Sequence, residues 1–487
     1  MNNSLSTRPS LDFLNPRAPF ELRFEESLLI GSRILRHLPG KRIVCLGSWN
    51  GQQVVAKIYF DPQRHKIHAE RELRGVRAML DRRIPTAALV RFGENEAFTV
   101  LLLEYLHPTN SAQELWDAAP NGVQRREIIR SLVSSITAHH AAGLIQEDLH
   151  LDNFLFMGET VYTIDGASIK VETAPLSIHT VLDNLALLFA QLTPAHDPLA
   201  IEIGCEALAA NADSRITADQ LGNAIDRRRN ARKRDWLKKI FRTCSAIESY
   251  RDNRRYAVWD RHDDSPGLRT ILEDPDVALN QSHLLKKGRT STVGIVELGD
   301  RRILIKRYNL KNFWHACNRA LRETRASISW RNAHRLRFYG IATPRPIALV
   351  EKRWGPIRRE SYFICEYMEA ESCARYLMDE NRSSEEKDLV VDRLCDLLKS
   401  FGKLLISHGD TKATNFLIAQ NTPWVIDLDA MREFDNPARF ASAHARDIKR
   451  FMRNWDSQPR IRARFDRCLN ESVNVGLNVE STSSIPR

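Results

Sequence analysis

Long hydrophobic runs are missing from this chain: no stretch approaches the roughly 18 consecutive apolar residues of a membrane-spanning helix. Its first residues, Met1-Asn-Asn-Ser-Leu-Ser-Thr-Arg8, lack the charged-then-apolar order of a secretion signal. The eight cysteines are scattered with no Cys-x-x-Cys pair, which argues against a zinc site and for reduced thiols in a cytosolic setting. Zinc-finger, RNA-binding and helix-turn-helix signatures are absent, so no nucleic-acid partner is expected despite a formal charge of +11. A full glycine-rich phosphate loop is lacking too. Bulk excludes little, because 487 residues with 43% hydrophobic content suffice for two or three globular domains, each with a core.

Against this background one short pattern occurs twice. Asp148-Leu-His150-Leu-Asp-Asn153-Phe-Leu precedes Tyr162-Thr-Ile-Asp165, and Asp410-Thr-Lys412-Ala-Thr-Asn415-Phe-Leu precedes Trp424-Val-Ile-Asp427. In both copies the Asp-to-Asn step is five residues and the Asn-to-Asp step is twelve. Phosphoryl transfer needs a carboxylate to accept the attacking hydroxyl's proton and oxygen ligands to hold Mg²⁺ against the phosphates. Asp148 and Asp410 fit the first need; Asn153 with Asp165, and Asn415 with Asp427, fit the second. His150 and Lys412 stand between base and metal ligands, where a cation helps neutralise the transferring group.

Other parts of such a site recur upstream. Gln53-Val-Val-Ala-Lys57 and Arg302-Ile-Leu-Ile-Lys306 are strands ending in a lysine for the nucleotide, each preceded by a turn signal, Asn50-Gly51 or Gly299-Asp300. The loops around Gly40 and Gly288 occupy the phosphate-covering place and are basic; a solvated turn is the competing reading for each. A helix after Lys57 offers Glu72 as the partner of that lysine, with Glu70 as its rival. The same count in the second copy lands on Ser329, and Glu323 lies almost two turns earlier, next to Arg322. Apolar runs ending in Glu104-Tyr105 and Glu366-Tyr367 suit strands that carry backbone past an adenine ring. Asp183 and Asp447 open helices that either anchor the preceding loop through a buried carboxylate or simply carry an N-terminal acid.

The chain between Asp165 and Asp183, or Asp427 and Asp447, is too short for a long peptide-docking segment, and no Ala-Pro-Glu follows either. A small or sugar-like acceptor is thereby favoured, with a compact protein kinase as the rival. The stretch Arg227 to Arg242 is strongly basic, with Trp236, Leu237, Ile240 and Phe241 on one helical face. That face would lie on an anionic membrane or pack into the first module's helical lobe.

Lys306-Arg-Tyr-Asn, Arg331-Asn-Ala-His-Arg-Leu, Gly340-Ile-Ala-Thr-Pro-Arg-Pro346, His408-Gly-Asp410 through Leu417, and Arg446-Asp447-Ile-Lys-Arg-Phe resemble the lipopolysaccharide core kinases of the Kdo/WaaP family. The first copy resembles a more distant member through Val55-Ala-Lys57, Asp148-Leu-His150, Asn153 and Asp183-Asn-Leu-Ala-Leu-Leu-Phe. It departs in having Gln146-Glu147 before Asp148, while the second has Leu428-Asp429 after Asp427 where the first has Gly166. The resemblance implies ATP, Mg²⁺ and a heptose or Kdo hydroxyl of the Gram-negative inner-core glycolipid as acceptor. It also implies a cytoplasmic protein in peripheral contact with the inner membrane. Lysine at the Lys412 place is commoner in protein kinases and histidine, as at His150, in small-molecule kinases. A scaffold with one or both sites inactive is the further alternative.

The expected architecture is α+β: two tandem protein-kinase-like modules at 21–265 and 266–478, each with a small antiparallel β lobe and a helical lobe. The boundary is placed at Arg261-His-Asp-Asp-Ser-Pro266-Gly267, with loose ends at 1–20 and 479–487.

Overall fold

The computed structural model describes residues 10–24, 26–209, 216–309 and 323–477. Contacts divide the chain into two compact units, Met1–Arg232 and Lys233–Arg487. Both mix helix and sheet.

In the first unit six strands form one antiparallel sheet in the order Phe20–Phe24, Ser27–Leu38, Arg42–Trp49, Gln52–Tyr59, Thr99–Glu104, Leu89–Glu94. Alternating burial along Arg42–Trp49 puts Ile43, Cys45 and Trp49 into the sheet's core, as a period of two requires. The Asn50-Gly51 signal holds: both residues take positive φ, which a two-residue hairpin of primed type needs. Helix His65–Asp81 buries Ala69, Glu72, Leu73, Val76 and Met79, a stripe at helical spacing against the sheet. After Glu104 the unit becomes mostly helical. Helices Gly122–Ala141, Ile178–Phe189 and Asp197–Ala209 enclose a core that includes Ile129, Leu132, Leu185 and Phe189.

The second unit repeats this plan with a seven-stranded antiparallel sheet, ordered Ile247–Arg251, Arg255–Asp260, Pro346–Trp354, Ile357–Glu366, Arg301–Tyr308, Ser291–Leu298, His283–Lys287. Helix Arg325–Phe338 covers it, and helices Ser384–Lys403, Pro437–Arg453 and Pro459–Leu477 follow. Ser383 starts the first of these with a capping box to Glu386.

Three sequence expectations change here. The Pro-Gly stretch at 261–267 lies inside the second unit, because strand Arg255–Asp260 pairs with Pro346–Trp354 and brings Ile247–Arg251 with it. Ile240 is fully buried and Trp236, Leu237 and Phe241 pack around it in the second unit's core, where Trp330 Nε1 donates to the Ile240 carbonyl at 3.0 Å. That apolar face is therefore neither a membrane surface nor part of the first unit's core. Residues 10–20 are tied down: Leu11 is buried and its amide donates to Glu21 O at 3.1 Å. Residues 1–9, 479–487 and Arg322 lie outside the described residues. Among the described residues no helix is long and apolar enough to cross a membrane.

Candidate active sites

Each copy of the repeated pattern closes on itself in the same way. Asn153 Nδ2 donates to Asp148 O at 2.9 Å, and Ile164 N donates to Asn153 O at 2.9 Å. Asn415 Nδ2 donates to Asp410 O at 2.8 Å, and Ile426 N donates to Asn415 O at 3.0 Å. Short hairpins, Phe154–Met157 with Thr160–Thr163 and Phe416–Ala419 with Thr422–Val425, return the chain over the twelve-residue step. The carboxylate they deliver then sits in left-handed backbone, φ 73° at Asp165 and 60° at Asp427. An aspartate held there twice is stored strain that the surroundings must over-determine.

In the first unit Lys57 and Glu72 form an ion pair, with Glu72 fully buried and Glu70 exposed. The Gly166 and Ala167 amides donate to Glu72 at 2.9 and 3.2 Å, and Tyr59 OH reaches it at 3.4 Å. A Cβ on Gly75 would stand 1.8 Å from Gly166 O, so helix and loop touch backbone to backbone only because both positions are glycine. Burial raises the Glu72 carboxyl, but the Lys57 ammonium outweighs it and holds the group below the usual carboxylate range. Asp165 goes the other way, raised by burial and then by the Glu72 charge, and its Oδ1 is buried without a partner. Arg42, in the strand after the Gly40 loop, donates to Tyr59 OH at 3.3 Å and feels the charges of Glu72 and Asp165.

The second unit arranges the same positions differently. Lys306 Nζ contacts Asp427 Oδ1 at 2.5 Å. Ser329 is buried and meets Tyr308 OH at 2.8 Å, and Glu323 is taken by Arg331, so no helix glutamate reaches the lysine. A second carboxylate comes instead from Asp429, which is paired to Arg325. Burial raises Asp427 and Lys306 more than offsets it; Asp429 ends raised, by burial first and by the Asp427 charge, against the pull of Lys306. Asn332, three residues after Ser329 as Gly75 is three after Glu72, donates to Leu428 O and Met431 O at 2.9 Å each.

The two predicted anchor residues part company. Asp447 is buried and accepts from Ser407 Oγ at 2.7 Å and Gly409 N at 3.0 Å. Asp183 is half exposed and pairs with Arg228, whereas its neighbour Asn184 is the buried residue, bonded to Gln146 O at 2.8 Å and His140 Nε2 at 2.9 Å. The phase of the helix, not the charge, selects the anchor. Gln146 and His408 precede the two Asp residues equivalently: the Asp148 amide approaches Gln146 Oε1 at 3.5 Å and the Asp410 amide approaches His408 Nδ1 at 3.3 Å.

Asp148 and His150 are exposed. Asp410 has Lys412 at 3.6 Å and, unforeseen in the sequence, Arg450 at 2.6 Å. Glu104 and Glu366 end strands at matching register, opposite Val54 and Ile303, three residues before the respective lysines. Gly40 takes φ 69° at a hairpin tip, and the Gly288 amide donates to Ser291 O at 3.0 Å in a tight turn.

Among solved structures the kinase domain of Mycobacterium tuberculosis PknI, in a mutant form, is 16% identical over 45% of this chain and 99% of that chain, with a TM-score of 0.29. No curated protein matches the sequence. Residues 279–466, which hold Lys306, Asp410, Asn415 and Asp427, match the lipopolysaccharide kinase (Kdo/WaaP) family, and in that segment the chain is similar to those kinases.

Proposed function

We propose that both units are bilobal protein-kinase-like modules in tandem, and that the protein moves the γ-phosphate of ATP, with Mg²⁺, to a heptose or Kdo hydroxyl of the lipopolysaccharide inner core. The observation that carries this reading is the loop closed twice by the same pair of hydrogen bonds, ending each time in a left-handed aspartate. The family match over 279–466 supports assigning transfer to the second unit.

The donor set suits magnesium. Asn153 with Asp165, and Asn415 with Asp427, offer hard oxygens, and the orphaned Asp165 Oδ1 is the kind of atom an ion would satisfy. Among the described residues no group of three or more His, Cys, Asp or Glu could hold a metal ion, so magnesium here would take its other ligands from phosphates and water. When bound, magnesium neutralises phosphate charge during transfer.

The chain's own groups do the rest. Asp410 orients the acceptor hydroxyl and takes its proton, and Asp148 occupies the corresponding place in the first unit. Lys306 leaves Asp427 to hold the α- and β-phosphates, as Lys57 does from its pairing with Glu72. Lys412 and His150 add positive charge beside the transferring group, and the loops at Gly40 and Gly288 cover the phosphates, with Arg42 reaching inward. The strands ending at Glu104 and Glu366 present backbone to the adenine. A glycolipid acceptor places the protein on the cytoplasmic face of the inner membrane.

One observation favours a second reading, a scaffold whose second unit is inactive: Lys306 rests on Asp427 with no helix glutamate to draw it off. Assay of Asp148→Asn and Asp410→Asn separately, with purified core glycolipid and a protein acceptor, decides between them. Asp410→Asn is expected to lower turnover of glycolipid by about 10²–10⁴-fold. If neither change lowers the turnover of an active preparation, the assignment fails.

A further inference from the structure

Helix Pro437–Arg453 carries Arg446, Lys449, Arg450 and Arg453 at i, i+3, i+4 and i+7, one face of the helix. With Arg432 and Asn454 they line a groove of about 960 Å³ that runs to Gly409, next to Asp410. All five cations are exposed, and among the described residues Arg450 alone has an ion-pair partner, Asp410 itself. The one other acid in the groove, Asp447, is already engaged by Ser407 and the Gly409 amide.

Like charges one turn apart, Arg446 with Arg450 and Lys449 with Arg453, disfavour the helix that carries them. The fold does not require them, since the corresponding helix of the first unit, Ile178–Phe189, has no lysine or arginine. A concave surface that gathers five cations against their mutual repulsion is matched by an anion, which turns the repulsion into charge-assisted hydrogen bonds.

Resting on the phosphotransfer reading above, we propose that this groove binds a phosphate or carboxylate group carried by the acceptor. Arg450 stands at the junction and sets that anion one residue away from Asp410. An acceptor held this way presents a hydroxyl to the carboxylate while its own negative charge is neutralised by Arg446, Lys449 and Arg453. The specificity of the second unit is then for acidic acceptors, and helix Ile178–Phe189 of the first unit carries no such row of cations.

Equilibrium titration of the full chain with inorganic pyrophosphate reads the groove without turnover, so its failure is separable from failure of the phosphotransfer assignment. Wild type is expected to bind pyrophosphate, whereas combined Arg446→Gln, Lys449→Gln and Arg453→Gln weakens binding about tenfold or more. The Arg446→Lys, Arg453→Lys variant retains most of it. The triple variant should melt no lower than wild type, because the repulsion along the helix is relieved, and this separates a ligand role from a structural one. Pyrophosphate affinity that survives the triple change overturns the proposal. It is overturned equally if groove-dependent binding appears only with phosphatidylcholine vesicles containing phosphatidylglycerol, which makes the face a membrane-docking surface.

Discussion

Two lysines, Lys57 and Lys306, stand on equivalent strands and are neutralised by different means. In the first unit the partner is Glu72 on the helix, locked by two loop amides, and Asp165 is left with an unsatisfied oxygen. In the second unit the partner is the loop aspartate, Asp427, while Ser329 stands where Glu72 would be and Asp429 supplies the extra acid. The helix contact changes with it: Gly75 lies directly on Gly166, whereas Asn332 bridges to the carbonyls of Leu428 and Met431. A helix that touches the loop can insert a carboxylate between lysine and loop. One held off by an asparagine cannot, and the charge has to come from the loop itself.

The largest expected difference follows from burial. Glu72→Ala strands Lys57 without its partner in the interior and should cost about 3–5 kcal/mol, while Ser329→Ala, which removes one neutral hydrogen bond, should cost about 1 kcal/mol. Denaturant unfolding of both variants checks the ranking, and equal costs would break the comparison.

Acid sharpens it next. Burial lowers the pKa of His334 from 6.5 to about 3 in the second unit. The folded state then binds fewer protons than the unfolded chain between those values, so stability is complete above pH 6.5 and falls as the pH drops toward 3. The slope approaches ~1.4 kcal/mol per pH unit, and His334→Leu should remove this contribution in unfolding curves taken across that range. His139 and His140 in the first unit are lowered by burial in the same direction, so the single change should leave their acid sensitivity in place.

The helix contacts come third. Gly75→Ala must push helix and loop apart, costing about 1–3 kcal/mol, and Asn332→Ala leaves two carbonyls without their donor at about 1–3 kcal/mol. Hydrogen exchange should report the loss at Gly166 and Ala167 in the first variant and around Leu428 to Met431 in the second. The smallest pair of effects has opposite signs. Without nucleotide, Asp165→Asn removes an unpartnered buried carboxylate oxygen beside Glu72 and should stabilise the protein slightly, whereas Asp427→Asn deprives Lys306 of its ion pair and should destabilise it. Melting temperatures of the two variants test the signs.

What the structure brings together was legible wherever residue type and spacing recur in both copies. The Asp–Asn–Asp steps, the two lysines, Glu72 over Glu70 and the vacancy at Ser329 could all be counted along the chain. Asn184 was not, since adjacent helix positions differ by their phase against the core and Asp183 carried the more expected charge. Asn332, Asp429 and Arg325 act through long-range packing that no local pattern announces. Arg446, Lys449, Arg450 and Arg453 did leave a signal, their i, i+3, i+4, i+7 spacing, but its meaning depends on a groove that exists only after folding. The module boundary was misplaced for a similar reason: strand Arg255–Asp260 reads equally well as the end of one sheet or the start of another until its partner, Pro346–Trp354, is known.

Calorimetric titration of the full chain with a non-hydrolysable ATP analogue tests the central claim, that each twice-written loop grips a magnesium-bound nucleotide. The account predicts two magnesium-dependent sites per chain, with Asp165→Asn and Asp427→Asn each abolishing one of them. Absence of magnesium-dependent binding in the folded wild type, or two sites persisting in both variants, would contradict it.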